Sequence, residues 1–312
     1  MKKKIVVIIG PTAVGKSKYA IRVAQNLDGE ILSADSMQVY EHMNIGSAKP
    51  TDEELATVRH HLIGEVDPLQ EWSAAEYQKK AKFWIDEMFS RGKLPIICGG
   101  TGLYVNSLIY DMDFSTAKGD ESLRKELRLL ADTMGGQALH DRLTKADPTA
   151  AERIHPNNIK KMIRAIEVVE TAGKGIPEFD GVFQKSGDYD SIMIGLNIDR
   201  QILYNRIEQR VDAMIEAGLV DEVRMLLALG LTEDDNSMKG IGYKELIGFL
   251  QNEYSLKEAV MKIKQNSRNY AKRQMTWFRR YDNIKWFDLT DTVNFEQSVQ
   301  EVTEYIQSKL VV

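Results

Sequence analysis

The start of the chain contains the feature that most constrains its fold. Residues 2–9 end in an apolar run rich in β-branched side chains, which predicts a buried strand. Residues 10–17, with the sequence Gly-Pro-Thr-Ala-Val-Gly-Lys-Ser, follow directly, and a helical pattern of apolar residues comes next. A loop of this spacing between a strand and a helix is typical of phosphate-binding loops. We therefore expect residues 10–17 to bind a phosphate compound.

The residue types of this loop indicate how it binds an anion. The glycines allow a tight turn that brings backbone N–H groups close to phosphate oxygens. The helix that opens at Lys16 directs its positive end at the same point. Lys16 adds a charge that reaches terminal phosphates, and the Ser17 hydroxyl can bind Mg²⁺. Such loops are common in nucleotide- and ATP-binding proteins, and the motif alone does not identify the ligand.

Strands and helices alternate along most of the chain. Apolar runs predict further strands at residues 30–34, 94–98, 191–197 and 284–289. Periodic apolar residues predict helices between them, and polar loops follow the carboxyl ends of the strands. This pattern favours an α/β fold, a P-loop NTPase-like core in which a parallel sheet carries helices on both faces and binds ligands at those ends.

A central region interrupts the alternation, because residues 115–187 contain no convincing strand. Apolar periodicity predicts helices on either side of Gly135-Gly136 and from about residue 156 to 171, and residues 173–187 resemble a loop. The predicted division is a catalytic core of residues 1–114 and 188–312, with a C-terminal basic helix, and a helical insertion domain of residues 115–187.

The composition excludes several classes of protein. The chain has 312 residues, of which 43% are hydrophobic and 28% are charged, as in ordinary globular proteins. Cys98 is the only cysteine, so no disulfide can form within the chain, which suits a reducing cytoplasm. No stretch approaches the ~20 apolar residues that span a membrane. We expect a cytoplasmic protein with no membrane partner.

The basic residues are concentrated near the C-terminus. Residues 257–280 carry eight Lys or Arg and one acidic residue, a formal charge of +7. Since the whole chain carries −5, the remainder carries −12. Residues 272–280 also interleave basic residues with Trp277 and Phe278, which suits phosphate contacts and base stacking. An amphipathic helix with buried aromatic rings explains the same pattern, and both can hold together.

Two positions near the predicted strand ends point to chemistry. Asp35 follows the second strand, where a carboxylate can accept a proton or help to hold Mg²⁺, although a turn aspartate is the common alternative. Gly99-Gly100-Thr101 stands where an NTP-hydrolysing protein needs an aspartate. The two glycines are expected to admit a bulky flat group. The sequence thus favours a phosphate-loop protein that does not transfer a phosphoryl group.

Other polar residues give weaker signals. Arg206 and Arg210 lie one helical turn apart, either on a solvated face or as a second clamp for an anion such as diphosphate. His60 and His61 have no matching set of ligands, so we predict no metal site there.

Five motifs, in order, resemble those of bacterial tRNA dimethylallyltransferases. They are residues 10–17, 35–40 (Asp-Ser-Met-Gln-Val-Tyr), 99–104 (Gly-Gly-Thr-Gly-Leu-Tyr), 206–210 (Arg-Ile-Glu-Gln-Arg) and 272–279 (Lys-Arg-Gln-Met-Thr-Trp-Phe-Arg). The phosphate loop is widely shared, whereas the later motifs are far more specific, and the resemblance extends over nearly the whole chain. That family transfers a dimethylallyl group from dimethylallyl diphosphate to N6 of adenosine 37, beside the anticodon of tRNA.

The resemblance implies roles for individual residues. Asp35 is the implied general base, Mg²⁺ lies at Ser17, and Thr101 touches the flipped base or its neighbours. The implied diphosphate ligands are Gly10, Pro11, Thr12, Ala13, Val14, Gly15, Lys16, Ser17 and Arg210, with Thr12, Lys16 and Arg210 also catalytic. The implied tRNA contacts are Asp35, Ser36, Met37, Gln38, Thr101, Arg124, Lys160, Lys161, Arg164, Lys239, Gly240, Ile241, Gly242, Tyr243, Lys244, Lys272, Arg273, Gln274, Trp277 and Arg279.

The implied partners are dimethylallyl diphosphate and the anticodon stem-loop of tRNA, with Mg²⁺ as cofactor and a monomer as the expected state. In this reaction the diphosphate leaves as a unit, so no aspartate is needed to activate water. Two other functions share parts of the pattern. A small-molecule kinase would transfer phosphate from ATP and ignore tRNA, and an RNA-binding GTPase-like switch would bind RNA without alkylating it. The Gly-Gly-Thr sequence at 99–101 argues against both.

Overall fold

The computed structural model describes residues 3–112, 114, 120–172 and 184–311. The chain divides into two compact units, which we call the core unit (residues 1–111 and 185–312) and the insertion unit (residues 112–184). These bounds lie close to those predicted for the insertion domain, 115 and 187. Most of the loop predicted at 173–187 falls outside the described residues. No helix in the described part of the chain is long and apolar enough to cross a membrane.

Six strands form one parallel sheet in the core unit. They are β1 (Lys3–Ile9), β2 (Gly29–Ser33), β3 (His60–His61), β4 (Leu94–Gly99), β5 (Tyr189–Asn197) and β6 (Ile284–Asp288). Their order across the sheet is β3-β2-β4-β1-β5-β6, so β1 lies inside the sheet between β4 and β5. The predicted α/β class is confirmed, and β3 is a short strand that the sequence analysis missed.

The helices follow the strands in the predicted alternation. They are α1 (Lys16–Asn26), α2 (Asp52–Thr57), α3 (Ala74–Ser90), α4 (Gly102–Ile109), α5 (Glu121–Ala146), α6 (Pro148–Arg153), α7 (Ile159–Ala172), α8 (Arg200–Glu216), α9 (Leu219–Ala228), α10 (Tyr243–Leu250), α11 (Leu256–Phe278) and α12 (Phe295–Leu310). A 3₁₀ turn at Ser237–Lys239 precedes α10. The sequence analysis missed α6 and α10, which are both short.

The sheet is covered on both faces because the side chains of β1 alternate between two apolar clusters. Val6 and Ile8 pack in one cluster with residues of α1, α8 and α12, while Val7 and Ile9 pack in another with residues of α3 and α4. All four are at most 1% exposed. Burial on both faces explains why the strand is a continuous apolar run, and it leaves the polar loops at the strand ends as the place for a site.

The insertion unit is helical in its described part. The chain between Glu121 and Ala146 is helical on both sides of Gly135, which has φ 82° and ψ 169° and so kinks α5 where the sequence analysis placed a break. Leu139, Leu143 and Ile166 are fully buried in an apolar cluster of α5, α6 and α7. The unit therefore has a core of its own.

Candidate active site

A cavity of about 380 Å³ lies at the carboxyl ends of β1, β2 and β4 in the core unit. The phosphate loop, the segment after β2, residues of α8 and α11 and the turn before α10 line it. Asp35 is the only carboxylate among the described residues of the lining. Cys98 also lines it, and burial raises the pKa of this thiol to about 11, although the charge of Lys16 acts in the opposite direction. The thiol is therefore protonated at neutral pH.

The phosphate loop has the backbone shape that its glycines predict. Gly10 and Gly15 have φ values of 155° and 108°, and a side chain on Gly10 would meet the carbonyl oxygen of Leu196 at 2.5 Å. Gly15 is the residue before α1, so the loop ends at the positive end of that helix. The side chain of Ser17 lies in the cavity lining. This geometry presents N–H groups and a hydroxyl to an anion.

Lys16 is partly buried, and among the described residues it has no carboxylate partner. Its Nζ donates a hydrogen bond to the carbonyl oxygen of Pro11 at 2.8 Å, and no described carboxylate lies within ion-pair distance. Burial lowers the pKa of Lys16 to about 8; Cys98 and Asp35 oppose the shift, and Arg210 adds to it. An anion in the cavity would favour the charged form of this lysine and raise its pKa again.

Arg206 and Arg210, both on α8, have different roles. Arg210 lines the cavity, and its Nη1 lies 3.4 Å from Thr12 Oγ1. Burial lowers the pKa of Arg210, while the charge of Asp35 opposes that effect. Arg206 instead donates to the carbonyl oxygen of Val14 at 3.5 Å, and it is exposed and absent from the lining. Of these two arginines, Arg210 is the one placed to serve as a second clamp for an anion in this cavity.

Asp35 is held in a defined orientation by its own segment. Its Oδ1 accepts hydrogen bonds from the N–H groups of Met37 at 2.9 Å and Gln38 at 3.4 Å. Thr101 fixes the residue after Asp35, because its Oγ1 accepts a hydrogen bond from Ser36 N at 3.0 Å. Among the described residues, no hydrogen bond reaches Asp35 Oδ2. One carboxylate oxygen is thus fixed and the other can face a substrate.

The glycines after β4 accommodate groups of the protein itself, which corrects the expectation that they admit a bulky ligand. A Cβ on Gly99 would lie 2.1 Å from the carbonyl oxygen of Ala34, and one on Gly100 would lie 2.1 Å from Gln274 Nε2. A flat group does approach at Gly102, but it is the indole of Trp277, at 2.3 Å from such a Cβ. The glycines let β2 and α11 pack tightly around the site.

Two residues of α11 join the site from a distant part of the sequence. Gln274 is buried, and it bonds Thr12 N and the carbonyl oxygen of Gly100. Tyr270 lines the cavity with its hydroxyl near Thr101 and Gln274, and burial raises its pKa, with the charge of Asp35 adding to the shift. Sequence reasoning missed Tyr270, because nothing in the helical pattern distinguishes it from a packing residue.

Glu222 organises the other side of the cavity, and the sequence analysis missed it too. Its carboxylate accepts hydrogen bonds from the N–H groups of Asn44, Ile45 and Gly46 at 2.7–3.0 Å and from the Tyr243 hydroxyl at 2.8 Å. Tyr243 is fully buried, so its side chain supports the turn at residues 239–244 from inside.

The other predicted tRNA contacts of the core unit differ in exposure. Lys239 and Lys244 are exposed, Gly240 and Gly242 are buried, and Ile241 is partly buried; all but the fully buried Tyr243 line the cavity.

At the end of α11, Lys272, Arg273 and Arg279 are exposed, whereas Trp277 is half-buried with Arg280 stacked 5.5 Å from its ring. Ser36, Met37 and Gln38 lie in the lining beside Asp35. The exposed cations have the geometry for phosphate contacts, which stay a prediction.

The four predicted contacts in the insertion unit fall into two groups. Lys160 and Lys161 are exposed at the start of α7. Arg124 and Arg164 form ion pairs with the fully buried Glu167 at 2.8 and 2.6 Å, and Asp120 N donates to the same carboxylate at 2.9 Å. These arginines hold the insertion unit together, and their contact with tRNA stays a prediction.

Known proteins were compared with the chain by sequence and by structure. The family model for IPP transferase matches residues 38–281. A tRNA dimethylallyltransferase of a Thermoanaerobacter species is 51% identical to this chain over 99% of both proteins. One from Geobacillus thermodenitrificans is 48% identical over 99% of this chain and 98% of that protein.

Two solved structures agree with this result. The full-length tRNA isopentenylpyrophosphate transferase of Bacillus halodurans is 46% identical, with a TM-score of 0.75, over 99% of this chain and 97% of that one. A eukaryotic dimethylallyltransferase acting on tRNA is 26% identical, with a TM-score of 0.85, over 99% of this chain and 79% of that one. The resemblance seen in the motifs is confirmed, and the chain belongs to the IPP transferase family.

Proposed function

We propose that this protein transfers a dimethylallyl group from dimethylallyl diphosphate to N6 of adenosine 37 in tRNA and releases diphosphate. The observation that carries the proposal is the cavity that brings Lys16 of the phosphate loop together with Arg210 and Asp35. Among the described residues, neither cation has a carboxylate partner, and Asp35 is the only carboxylate of the lining. The names of the relatives support the substrates.

The phosphate loop is the proposed site for the diphosphate. Lys16, Arg210 and the loop N–H groups meet the negative charge that develops as the allylic C–O bond breaks. The donors present also fit Mg²⁺, since that ion is commonly held by one or two protein oxygens together with phosphate oxygens and water. Ser17 Oγ would hold it, and its chemistry would be to neutralise charge on the leaving diphosphate. No group of three or more metal-ligating side chains occurs among the described residues.

Asp35 is the proposed general base. The exocyclic amine of adenine is a poor nucleophile because its lone pair conjugates with the ring, so the base must leave its stack and meet the allylic carbon directly. As the N6–C bond forms and the C–O bond breaks, the proton on N6 passes to Asp35 Oδ2. The hydrogen bonds from Met37 and Gln38 to Oδ1 support this role, because they orient the carboxylate.

The proposal also covers the contacts with tRNA, the oligomeric state and the cellular compartment. The exposed cations of α11 and of the turn at 239–244 contact the phosphates of the anticodon stem-loop, with Lys160, Lys161, Arg124 and Arg164 as further contacts. We also propose that the protein acts as a monomer and, since tRNA is its substrate, in the cytoplasm.

The proposal is tested by incubating the purified protein with unmodified tRNA, Mg²⁺ and dimethylallyl diphosphate, followed by mass analysis of the nucleosides. The expected product is a prenylated adenosine at position 37. Lys16→Ala should abolish it, whereas Lys18→Ala is a matched control, because Lys18 is exposed on the same helix and does not line the cavity. Absence of product from the wild-type protein, with ATP consumed on a small acceptor, would contradict the proposal and favour a kinase.

A further inference from the structure

The side chain of Gln274 closes one end of the phosphate loop. It is 5% exposed, its Oε1 accepts a hydrogen bond from Thr12 N at 2.8 Å, and its Nε2 donates to the carbonyl oxygen of Gly100 at 3.0 Å. Both ends of the amide are therefore satisfied inside the protein. Gly100 makes this possible, since a Cβ there would lie 2.1 Å from Nε2.

These hydrogen bonds determine which backbone N–H groups of the phosphate loop can still bind a ligand. A phosphate loop binds its anion through backbone N–H groups. The N–H of Thr12 is bonded to Gln274, and the N–H of Val14 bonds back to the carbonyl oxygen of Pro11 at 3.4 Å. Among the described residues, no hydrogen bond engages the N–H groups of Ala13, Gly15 or Lys16, so the free donors begin beyond Thr12 and extend to the start of α1.

The oxygen of Gln274 also acts against an anion placed next to it. A carboxamide oxygen and a phosphate oxygen are both acceptors, so a phosphoryl group at Thr12 would meet repulsion instead of a donor. A binding site that presents an unpaired or repulsive polar group to a competing ligand gains specificity by that means. The competing ligand here is a longer polyphosphate, whose extra charge would otherwise favour it in a cationic cavity.

We propose that Gln274 sets the length of polyphosphate that the loop accepts, so that a diphosphate fits and a third phosphoryl group is rejected. This inference rests on the proposed function, because it takes the diphosphate of the prenyl donor to bind in the loop. It also explains how a loop typical of ATP-binding proteins serves a diphosphate ester.

The test measures competition with dimethylallyl diphosphate by inorganic diphosphate and by inorganic triphosphate, at saturating tRNA and constant free Mg²⁺. In the wild-type enzyme, the inhibition constant of triphosphate should exceed that of diphosphate by about tenfold or more. In Gln274→Ala this preference should fall about tenfold, because the acceptor is gone and the N–H of Thr12 is free. Gln274→Asn, whose shorter amide cannot bridge Thr12 and Gly100, is the second variant if Gln274→Ala does not fold.

Two controls make the outcome specific. Gln274→Glu keeps an oxygen acceptor toward Thr12 and should keep the preference for diphosphate. Gln265→Ala, at an exposed position on the same helix, should leave both inhibition constants unchanged. An unchanged preference in folded Gln274→Ala or Gln274→Asn would overturn the inference while leaving the proposed function intact. Failure of diphosphate to compete with the prenyl donor in the wild-type enzyme would instead contradict the proposed function.

Discussion

Arg210 in the core unit and Arg142 in the insertion unit are both partly buried, but they are held in opposite ways. Arg142 lies 3.0 Å from Glu170 and also pairs with Glu126. The hydrogen bonds that it donates to these carboxylates, with Glu126 the stronger influence, raise its pKa. Arg210 has the Thr12 hydroxyl at 3.4 Å and no carboxylate within ion-pair distance among the described residues, and burial lowers its pKa.

The contrast extends to the neighbours of the two arginines. Glu167 anchors Arg124 and Arg164 in the insertion unit, whereas the partner of Lys16 among the described residues is a carbonyl oxygen. Burying a cation without a counter-charge costs free energy, so such groups are concentrated at functional sites. A cation and a carboxylate that form an ion pair satisfy one another and contribute to structure. The missing counter-charge in the cavity is what a bound diphosphate would supply.

The largest expected effect is the loss of turnover when Asp35, the carboxylate of the cavity, is replaced. Asp35→Asn keeps an oxygen that can accept from Met37 N but cannot take a proton from N6. Turnover should fall by about 10²–10⁴-fold, the range that general base catalysis supplies, while the dissociation constant of tRNA stays the same. Single-turnover prenyl transfer and filter binding measure the two. If turnover were unchanged, Asp35 would act only as a structural residue, like the acids of the insertion unit.

A substitution at Glu167 tests the other half of the comparison, the paired cations of the insertion unit. Glu167→Gln leaves two arginines without their charge partner and should destabilise the insertion unit by about 2 kcal/mol, less than for a fully buried pair because both arginines reach solvent. Amide hydrogen exchange in α5 and α7 measures the loss. Glu121→Gln is the control, since its 3.7 Å contact with Arg124 is exposed and should contribute less than about 1 kcal/mol. Equal losses in both variants would contradict the account.

A third kind of cation, unpaired and exposed, sharpens the comparison. Lys272→Ala combined with Arg273→Ala should weaken tRNA binding about tenfold at low salt and reduce the salt slope of the logarithm of the binding constant by between about 1 and 2. The affinity for dimethylallyl diphosphate should change far less than the affinity for tRNA. Titrations at several salt concentrations give the slope, and a slope equal to that of the wild-type protein would remove these residues from the interface.

The smallest expected effect is a dependence of the stability of the insertion unit on pH. Burial by itself would raise the pKa of Glu167, but the bonds from Arg164, Arg124 and Asp120 N outweigh it and lower the pKa. The folded unit thus binds this proton more weakly than the unfolded chain, so the stabilisation is complete above the ordinary glutamate pKa of about 4.3 and is lost as pH falls through the lower folded value. Hydrogen exchange of α5 between pH 7 and pH 3 should show this loss, and Glu167→Gln should lack it.

Local patterns were sufficient to predict much of the fold. The strand, loop and helix at the start of the chain and the alternation of strands and helices each depend on residues close together in sequence. The sequence analysis missed β3, α6 and α10, which have two, six and eight residues. Their structure comes from packing against the rest of the core unit or insertion unit.

Sequence patterns predicted less of the site than of the fold, because the contacts of the site join residues that are far apart in sequence. Gln274 reaches Thr12 across 262 positions, and Glu222 reaches Asn44 across 178. Apolar periodicity distinguishes neither side chain from its exposed neighbours, and only the family resemblance singled out Gln274, as a tRNA contact. Periodicity also made Arg206 and Arg210 equivalent. The resemblance singled out Arg210, and the packing of α8 separates the arginine that binds the loop backbone from the one that enters the cavity.

The central claim is that the unpaired cations of the cavity bind diphosphate whereas the paired cations of the insertion unit do not. The most direct test compares Arg210→Met with Arg142→Met by the kcat/KM for dimethylallyl diphosphate at saturating tRNA. We expect a loss of about 10²-fold or more in Arg210→Met, as for removal of one donor to a developing anion, and less than about threefold in Arg142→Met, whose cost appears as about 1 kcal/mol of stability. Equal losses, or an unaffected Arg210→Met enzyme, would contradict the claim.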